Sequence, residues 1–151
     1  MEYIDKIIWD SGICTIGDYR LPSKKRPVSS FKVKSIRSTQ KLDELFLLGC
    51  VYYEIPKIRL DKLKDIDTKG KHVQIDLMIY DAVKDKKKWG RPAKGRQDVD
   101  NRAKFFMDAV QRGKDHKKPT LFMNDNQVFK LCITNLYAER DSLEFKITII
   151  E

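Results

Sequence analysis

The sequence is poor in the residue types that build disulfide frameworks and zinc sites. Its three cysteines, Cys14, Cys50 and Cys132, lie far apart, and no C-x-x-C pair occurs. An odd, scattered set indicates neither a disulfide scaffold nor a zinc site. The thiols are expected to be reduced and partly buried, as in a cytosolic protein. The two histidines, His72 and His116, stand apart and read as surface or packing residues. No apolar run approaches the roughly 20 residues needed to span a bilayer. The start of the chain, Met1-Glu2-Tyr3-Ile4-Asp5-Lys6, has no signal-peptide core. No membrane role is expected. Acid is the minority charge, with 22 Asp and Glu against 31 Lys and Arg, a formal net charge of +9 and a pI of about 9.4.

That surplus favours partners that carry phosphate, because each neutralised phosphate releases condensed counterions. It also fits mere solubility or an acidic protein partner, so charge alone decides little. The length of 151 residues points to one domain, residues 1–151. Hydrophobic residues at 41% are enough for a real core, which sets the chain apart from a disordered tail.

Residues Tyr3 to Trp9 are β-branched and aromatic and read as a strand. Leu21 to Arg37, rich in Lys, Arg and Ser, reads as a loop. A short helix is expected from Thr39 to Leu48, with Leu42, Leu45 and Phe46 on its apolar face and Gly49 as its stop. Cys50 to Leu60 looks extended, and Pro56 within it suits an edge strand. His72 to Tyr80 alternates Val73, Ile75, Leu77 and Ile79 with more polar residues, the pattern of a half-buried strand. Asp81 to Gln97 is a polar loop. Val99 to Arg112 is the clearest helix: Val99, Ala103, Phe106, Met107 and Val110 make one apolar face, Asp98 is placed to cap it and Gly113 to stop it. Val128 to Tyr137 and Leu143 to Ile150 read as strands, paired antiparallel across the turn at Arg140-Asp141-Ser142. The fold class is α+β: a small mixed or antiparallel sheet packed with two main helices.

The acids cluster where chemistry would need them. Asp98 and Asp100 straddle the start of the Val99 helix, and Asp100, Lys104 and Asp108 follow one another at i, i+4 and i+8 away from its apolar face. Acids at a helix start often only cap it, and such a ladder is often only a surface salt-bridge row. Asp125 sits in Asn124-Asp125-Asn126, which is also good turn chemistry. If that loop folds back beside the helix start, Asp98, Asp100 and Asp125 converge. Three close carboxylates need a cation, and Mg²⁺ or Mn²⁺ prefers oxygen ligands. Such an ion orients a phosphodiester, neutralises developing charge and activates water. Lys104, one turn into the helix, would offset charge on the phosphate or the leaving oxygen.

The stretch Asp98-Val99-Asp100-Asn101-Arg102-Ala103-Lys104, then Met107-Asp108-Ala109-Val110 and later Asn124-Asp125-Asn126-Gln127-Val128, resembles the signature of the RusA family of Holliday-junction resolvases. Its pattern runs approximately D-[LIV]-D-N-x-x-K-x-x-x-D-A-[LV], then a loop, then D-D-x-Q-[VI]. Residues 96 to 130 carry the match, and the closing strands follow loosely. The resemblance implies a Mg²⁺-dependent (or Mn²⁺-dependent) endodeoxyribonuclease, a homodimer that places symmetric nicks in four-way DNA. It implies metal-binding acids at Asp98, Asp100 and Asp125, a catalytic lysine at Lys104, and a supporting acid at Asp108. Asn124 stands where the pattern has its first acid of the D-D pair. The amino-terminal half carries no clear family pattern. A cytoplasmic, nucleoid-associated setting in a bacterium or phage is implied too.

Lys84, Lys86, Lys87, Lys88, Arg91, Lys94 and Arg96 lead directly into the acids, with Trp89 as a stacking candidate among them, and Lys114, Lys117 and Lys118 follow the helix. Lys24, Lys25, Arg26, Lys32, Lys34 and Arg37 form a second cluster. A lysine run is often only a solvated surface. Here it flanks the acids on both sides, which favours a phosphate clamp built around Lys86, Lys87, Lys88, Arg91, Lys94 and Arg96. Phosphate contacts position DNA without reading its sequence. The expected function is Holliday-junction resolution in recombination and repair. The alternatives are a flap or fork nuclease of the same fold, a noncatalytic DNA-binding module, or a protein-interaction module with an acidic partner.

Overall fold

The structure, a computed structural model, describes residues 6–23, 30–94, 99–111, 121 and 125–151, with the side chains of 30–39 and 125 outside the description. Its elements run β1 (Ile7–Asp10), β2 (Cys14–Gly17), α1 (Ser30–Glu54), α2 (Lys57–Leu63), β3 (His72–Ala82), α3 (Val99–Val110), β4 (Val128–Ala138) and β5 (Ser142–Ile150). The five strands form one mixed sheet ordered β1-β5-β3-β4, with β2 also paired to β5. This is the expected α+β class with two long helices.

The alternation in β3 sets the core. Val73, Ile75, Leu77 and Ile79 are buried, and their antiparallel neighbours on β5, Leu143, Phe145, Ile147 and Ile149, are buried with them. Phe106 of α3 packs on Phe145 with ring centroids 5.8 Å apart, so α3 covers this face. Buried Phe105, Ala109 and Val110 complete its buried face, and α1, which buries Leu47, Leu48 and Val51, lies beside it. Among the described residues no helix is long and apolar enough to cross a membrane.

Several expectations are corrected. β4 and β5 do not pair with each other, because β3 lies between them, parallel to β4 and antiparallel to β5. The strongly apolar β3 belongs at the centre, and the β3–α3–β4 crossover makes its pairing with β4 parallel. The turn at 139–141 bridges the end of β3, where Asp141 accepts from Ala82 N at 2.7 Å. The expected Leu21–Arg37 loop and the short Thr39–Leu48 helix give way to one helix from Ser30 to Glu54, which passes through Gly49. Its buried stripe is Leu47, Leu48 and Val51, with buried Ile55 just past its end, whereas Leu42 and Phe46 are 68% and 64% exposed. Cys50–Leu60 is not extended: Pro56, with φ −54° and ψ 137°, separates α1 from α2 and caps the second helix. β2 is a strand with no counterpart in the sequence-based expectation. The expected strand from Tyr3 begins at Ile7 among the described residues. Cys14 is buried, Cys50 half-buried and Cys132 exposed, all as free thiols.

Candidate nuclease site

The site begins with how α3 is fixed to the sheet. Arg102 lies on its buried face, with its side chain only 1% exposed. A buried guanidinium requires a charge partner and filled hydrogen bonds. Asp81, the last core-facing residue of β3, supplies both: Nη1 donates to Oδ2 at 2.8 Å and Nη2 to Oδ1 at 2.9 Å. Arg102 Nη1 also donates to Asn135 Oδ1 of β4 at 3.0 Å, and Nε donates to the Leu21 carbonyl at 2.8 Å. Asn135 Nδ2 in turn donates to Asp81 Oδ2 and to the Ile79 carbonyl. Burial pushes the Asp81 carboxyl up, but the hydrogen bonds from Arg102 and Asn135 and the charges of Arg102 and Arg20 outweigh it, and the net shift is downward. This network joins the carboxyl ends of β3 and β4 to the first turn of α3.

That anchoring leaves the opposite side of the first turn facing out. Asp100 and Lys104, one helical turn apart, are both exposed, and Asp108 is half-buried. At i and i+4 their Cβ atoms are neighbours, about 5–6 Å apart. Asp100 lies in the first turn, where free amides and the helix dipole favour negative charge. Asp98, expected as cap and ligand, lies outside the described residues, as do Arg96, Gly113, His116, Lys114, Lys117 and Lys118.

The other expected ligand is at the far end of the sheet. Asp125 opens a single turn, Asp125–Gln127, that leads into β4. Gln127 Nε2 donates to the carbonyls of Thr68 and Lys71, just ahead of β3. From Val128 to Asn135 the parallel strand runs about 23 Å at the usual rise. Arg102 sits at the level of Asp81, and Phe106 at the level of Leu77 through Phe145, so α3 descends antiparallel to β3. Asp100 and Asp125 therefore have backbones on the order of 20 Å apart in one chain. A β–α–β crossover sends its two connections to opposite ends of the strands; Asp98 and the Asp125 side chain lie outside the described residues, and with them the expected meeting of the three carboxylates. Among the described residues no three His, Cys, Asp or Glu side chains form a metal-sized group.

The basic loop is ordered. Asp85 accepts from Lys87 N at 3.1 Å and starts a short turn over Lys86–Lys88. Trp89 Nε1 donates to the Val83 carbonyl at 2.8 Å, so this ring is partly engaged in holding the loop. Gly90, at φ 81°, lets the chain reverse. Residues 90–93 then lie along the outer edge of β4, with Gly90 N to Tyr137 O at 2.8 Å, Tyr137 N to Arg91 O at 2.9 Å and Ala93 N to Asn135 O at 2.9 Å. Lys84, Lys86, Lys87, Lys88, Arg91 and Lys94 stay exposed along this path. Within the second basic cluster, Lys24, Lys25 and Arg26 and the side chains of Lys32, Lys34 and Arg37 lie outside the description.

Sequence reasoning missed the Asp81–Arg102–Asn135 network. The signal was present: Asp81 continues the buried phase of β3, two residues past Ile79, and Arg102 falls between Val99 and Phe106 on the buried side of α3. Opposite charges on two buried phases imply a pair.

No curated protein matches the chain. The family model of endodeoxyribonuclease RusA matches residues 54–149, from the end of α1 through β5. The match takes in the α3 motif, the basic loop and the Asp125 turn, so the chain belongs to the RusA family, the endodeoxyribonucleases of Holliday junctions.

Proposed function

We propose that the protein resolves four-way DNA by paired nicks and works as a homodimer whose active sites each draw on both copies. The observation that carries this reading is the separation of Asp100 and Lys104 at one end of the sheet from Asp125 at the other. Carboxylates at opposite ends of one molecule meet when a second copy lies head to tail against it. A two-fold axis makes that contact reciprocal, giving two equal sites. A four-way junction offers two strands in equivalent positions, which suits such a pair.

In this reading Asp98 and Asp100 of one copy and Asp125 of the other hold Mg²⁺ or Mn²⁺. The donor set is all carboxylate oxygen, the chemistry these ions prefer. When bound, the ion supplies Lewis-acid charge neutralisation at the scissile phosphate. The chain's own groups do the rest. Lys104, one turn beyond Asp100, faces the same solvent corner, and its ammonium stabilises negative charge developing on the phosphate or leaving oxygen. Lys86, Lys87, Lys88, Arg91, Lys94 and Arg96 hold the approaching backbone, the first five from a loop held by its own hydrogen bonds before DNA arrives, which limits the entropy lost on binding. Asp108, half-buried on the same helix, supports the turn that carries Lys104.

The test is an end-labelled four-way junction incubated with Mg²⁺, then with chelator, and mapped at nucleotide resolution. Symmetric nicks that vanish with chelator are expected. Cleavage confined to flaps or forks would replace the junction substrate. Stable binding without a product at any Mg²⁺ or Mn²⁺ concentration would leave only a DNA-binding module.

A further inference from the structure

We infer that Arg20, in the segment between β2 and α1 and outside the family-matched region, is a binding residue for a DNA phosphate beside the α3 site. This rests on the reading of that end of the sheet as a nuclease site. Three observations carry it.

Asp81 is shared by two guanidinium groups. Its charge is already matched by the two-pronged contact with Arg102. Arg20 Nε stands 4.0 Å from Asp81 Oδ1, and the Arg20 side chain is 56% exposed against 7% for Asp81. One carboxylate and two guanidiniums leave one surplus positive charge, which sits on the solvent side. An exposed cation that its buried neighbour does not require is available to a phosphate.

Arg20 is also fixed in place. Tyr19 before it stacks on Phe46, with centroids 6.2 Å apart. Leu21 after it is fully buried, and its carbonyl accepts from Arg102 Nε at 2.8 Å. The backbone on both sides of Arg20 is thus bolted to α1 and to α3. Nε is the guanidinium atom within ion-pair reach of Asp81, and more than half of the side chain is exposed, which leaves the Nη atoms for two parallel hydrogen bonds to a phosphate.

Finally, its location is specific. Through Asp81 and Arg102 it lies at the carboxyl end of β3, the end where Asp100 and Lys104 emerge. A phosphate neighbouring the scissile one passes here if the strand runs through the corner between α3 and the basic loop.

The test is equilibrium binding of a labelled four-way junction by the full chain in chelator, over a range of salt, for the parent, Arg20→Ala, Arg20→Lys and Arg20→Gln. Arg20→Ala and Arg20→Gln are expected to bind about tenfold more weakly. Their log–log salt dependence should flatten by about one phosphate contact. Arg20→Lys is expected to keep the salt slope and recover only part of the affinity, because a point charge replaces a fork. Melting temperatures should match the parent. Parental affinity and slope in Arg20→Ala and Arg20→Gln would overturn the inference and leave the nuclease reading standing. Weaker binding with an unchanged slope and a lower melting temperature would assign Arg20 a structural part and overturn it as well. A parent that shows no binding to the junction would remove the nuclease reading and this inference together.

Discussion

Arg102 of α3 and Asp81 of β3 form a two-pronged ion pair in the interior, at 2.8 and 2.9 Å, between the buried face of the helix and the last core-facing position of the strand. The pair sets which side of the first turn of α3 meets solvent, and so where Asp100 and Lys104 point. Its consequences are separable from those of the groups that touch DNA.

Removing one partner leaves the other charged and buried. Asp81→Ala is expected to destabilise the fold by about 3–5 kcal/mol, because Arg102 then lacks its counter-charge. The paired change Asp81→Leu with Arg102→Met should recover much of that loss, since it removes both desolvated charges, but not all of it, since Asn135 Oδ1 and the Leu21 carbonyl lose their donor. If the pair positions the site, this double variant still loses most of its nicking. Urea unfolding and junction cleavage on the same preparations test it; a stable double variant with parental cleavage would make the pair dispensable to the site.

The same carboxylate predicts an acid sensitivity. Asp81 is held below its ordinary value of 3.8. Its contribution to stability is therefore complete above that value and is lost as pH falls from there through the lower folded value. The stability difference between the parent and Asp81→Asn should be constant near neutrality and shrink below about pH 3.8. A difference that persists unchanged in stronger acid would contradict the assignment.

The chemistry of the site separates binding from cleavage. Asp98→Asn, Asp100→Asn and Asp125→Asn should each abolish nicking while junction binding stays equal or tightens, because each removes a negative charge near phosphate. Lys104→Ala should slow nicking about 10²–10³-fold, the usual loss for one group that stabilises developing charge. It is exposed, so its melting temperature should not move. Any of the three carboxamide variants cleaving at the parental rate would strike that residue from the ligand set.

The basic loop makes a distinction between charge and order. Lys87→Ala should flatten the salt dependence of junction binding by about one contact. Trp89→Ala removes the hydrogen bond to Val83 that steadies the loop but removes no charge. It should weaken binding and leave the salt slope parental. Parental affinity in Trp89→Ala would mean that the ring is not what orders the loop.

Much of the fold was legible because burial leaves a period. β3 alternates cleanly, and α3 repeats its apolar residues over twelve positions, so both were placed from sequence. α1 was not, since its first turns read Ser-Phe-Lys-Val-Lys-Ser, with no apolar stripe, and Gly49 mimics a stop; the helix persists past it because Leu47, Leu48 and Val51 on either side are buried. Strand order was misjudged because a short turn at 139–141 suggests a hairpin, while the packing of β3 is a long-range matter that no local pattern carries. The acids and lysine of the site were named from spacing, yet spacing along the chain is blind to which end of the sheet each loop reaches. The topology supplies that, and it is what leads us to propose a site between two copies rather than within one.

Mixing two inactive variants tests that claim most directly. In a dimer of Asp100→Asn with Asp125→Asn, sites shared between copies leave one site with both substitutions and one with neither. The account predicts that the exchanged mixture regains nicking of one strand of the four-way junction, without the paired cut. A mixture as inactive as its two parents, with exchange of subunits demonstrated, would place each complete site within a single chain and contradict it.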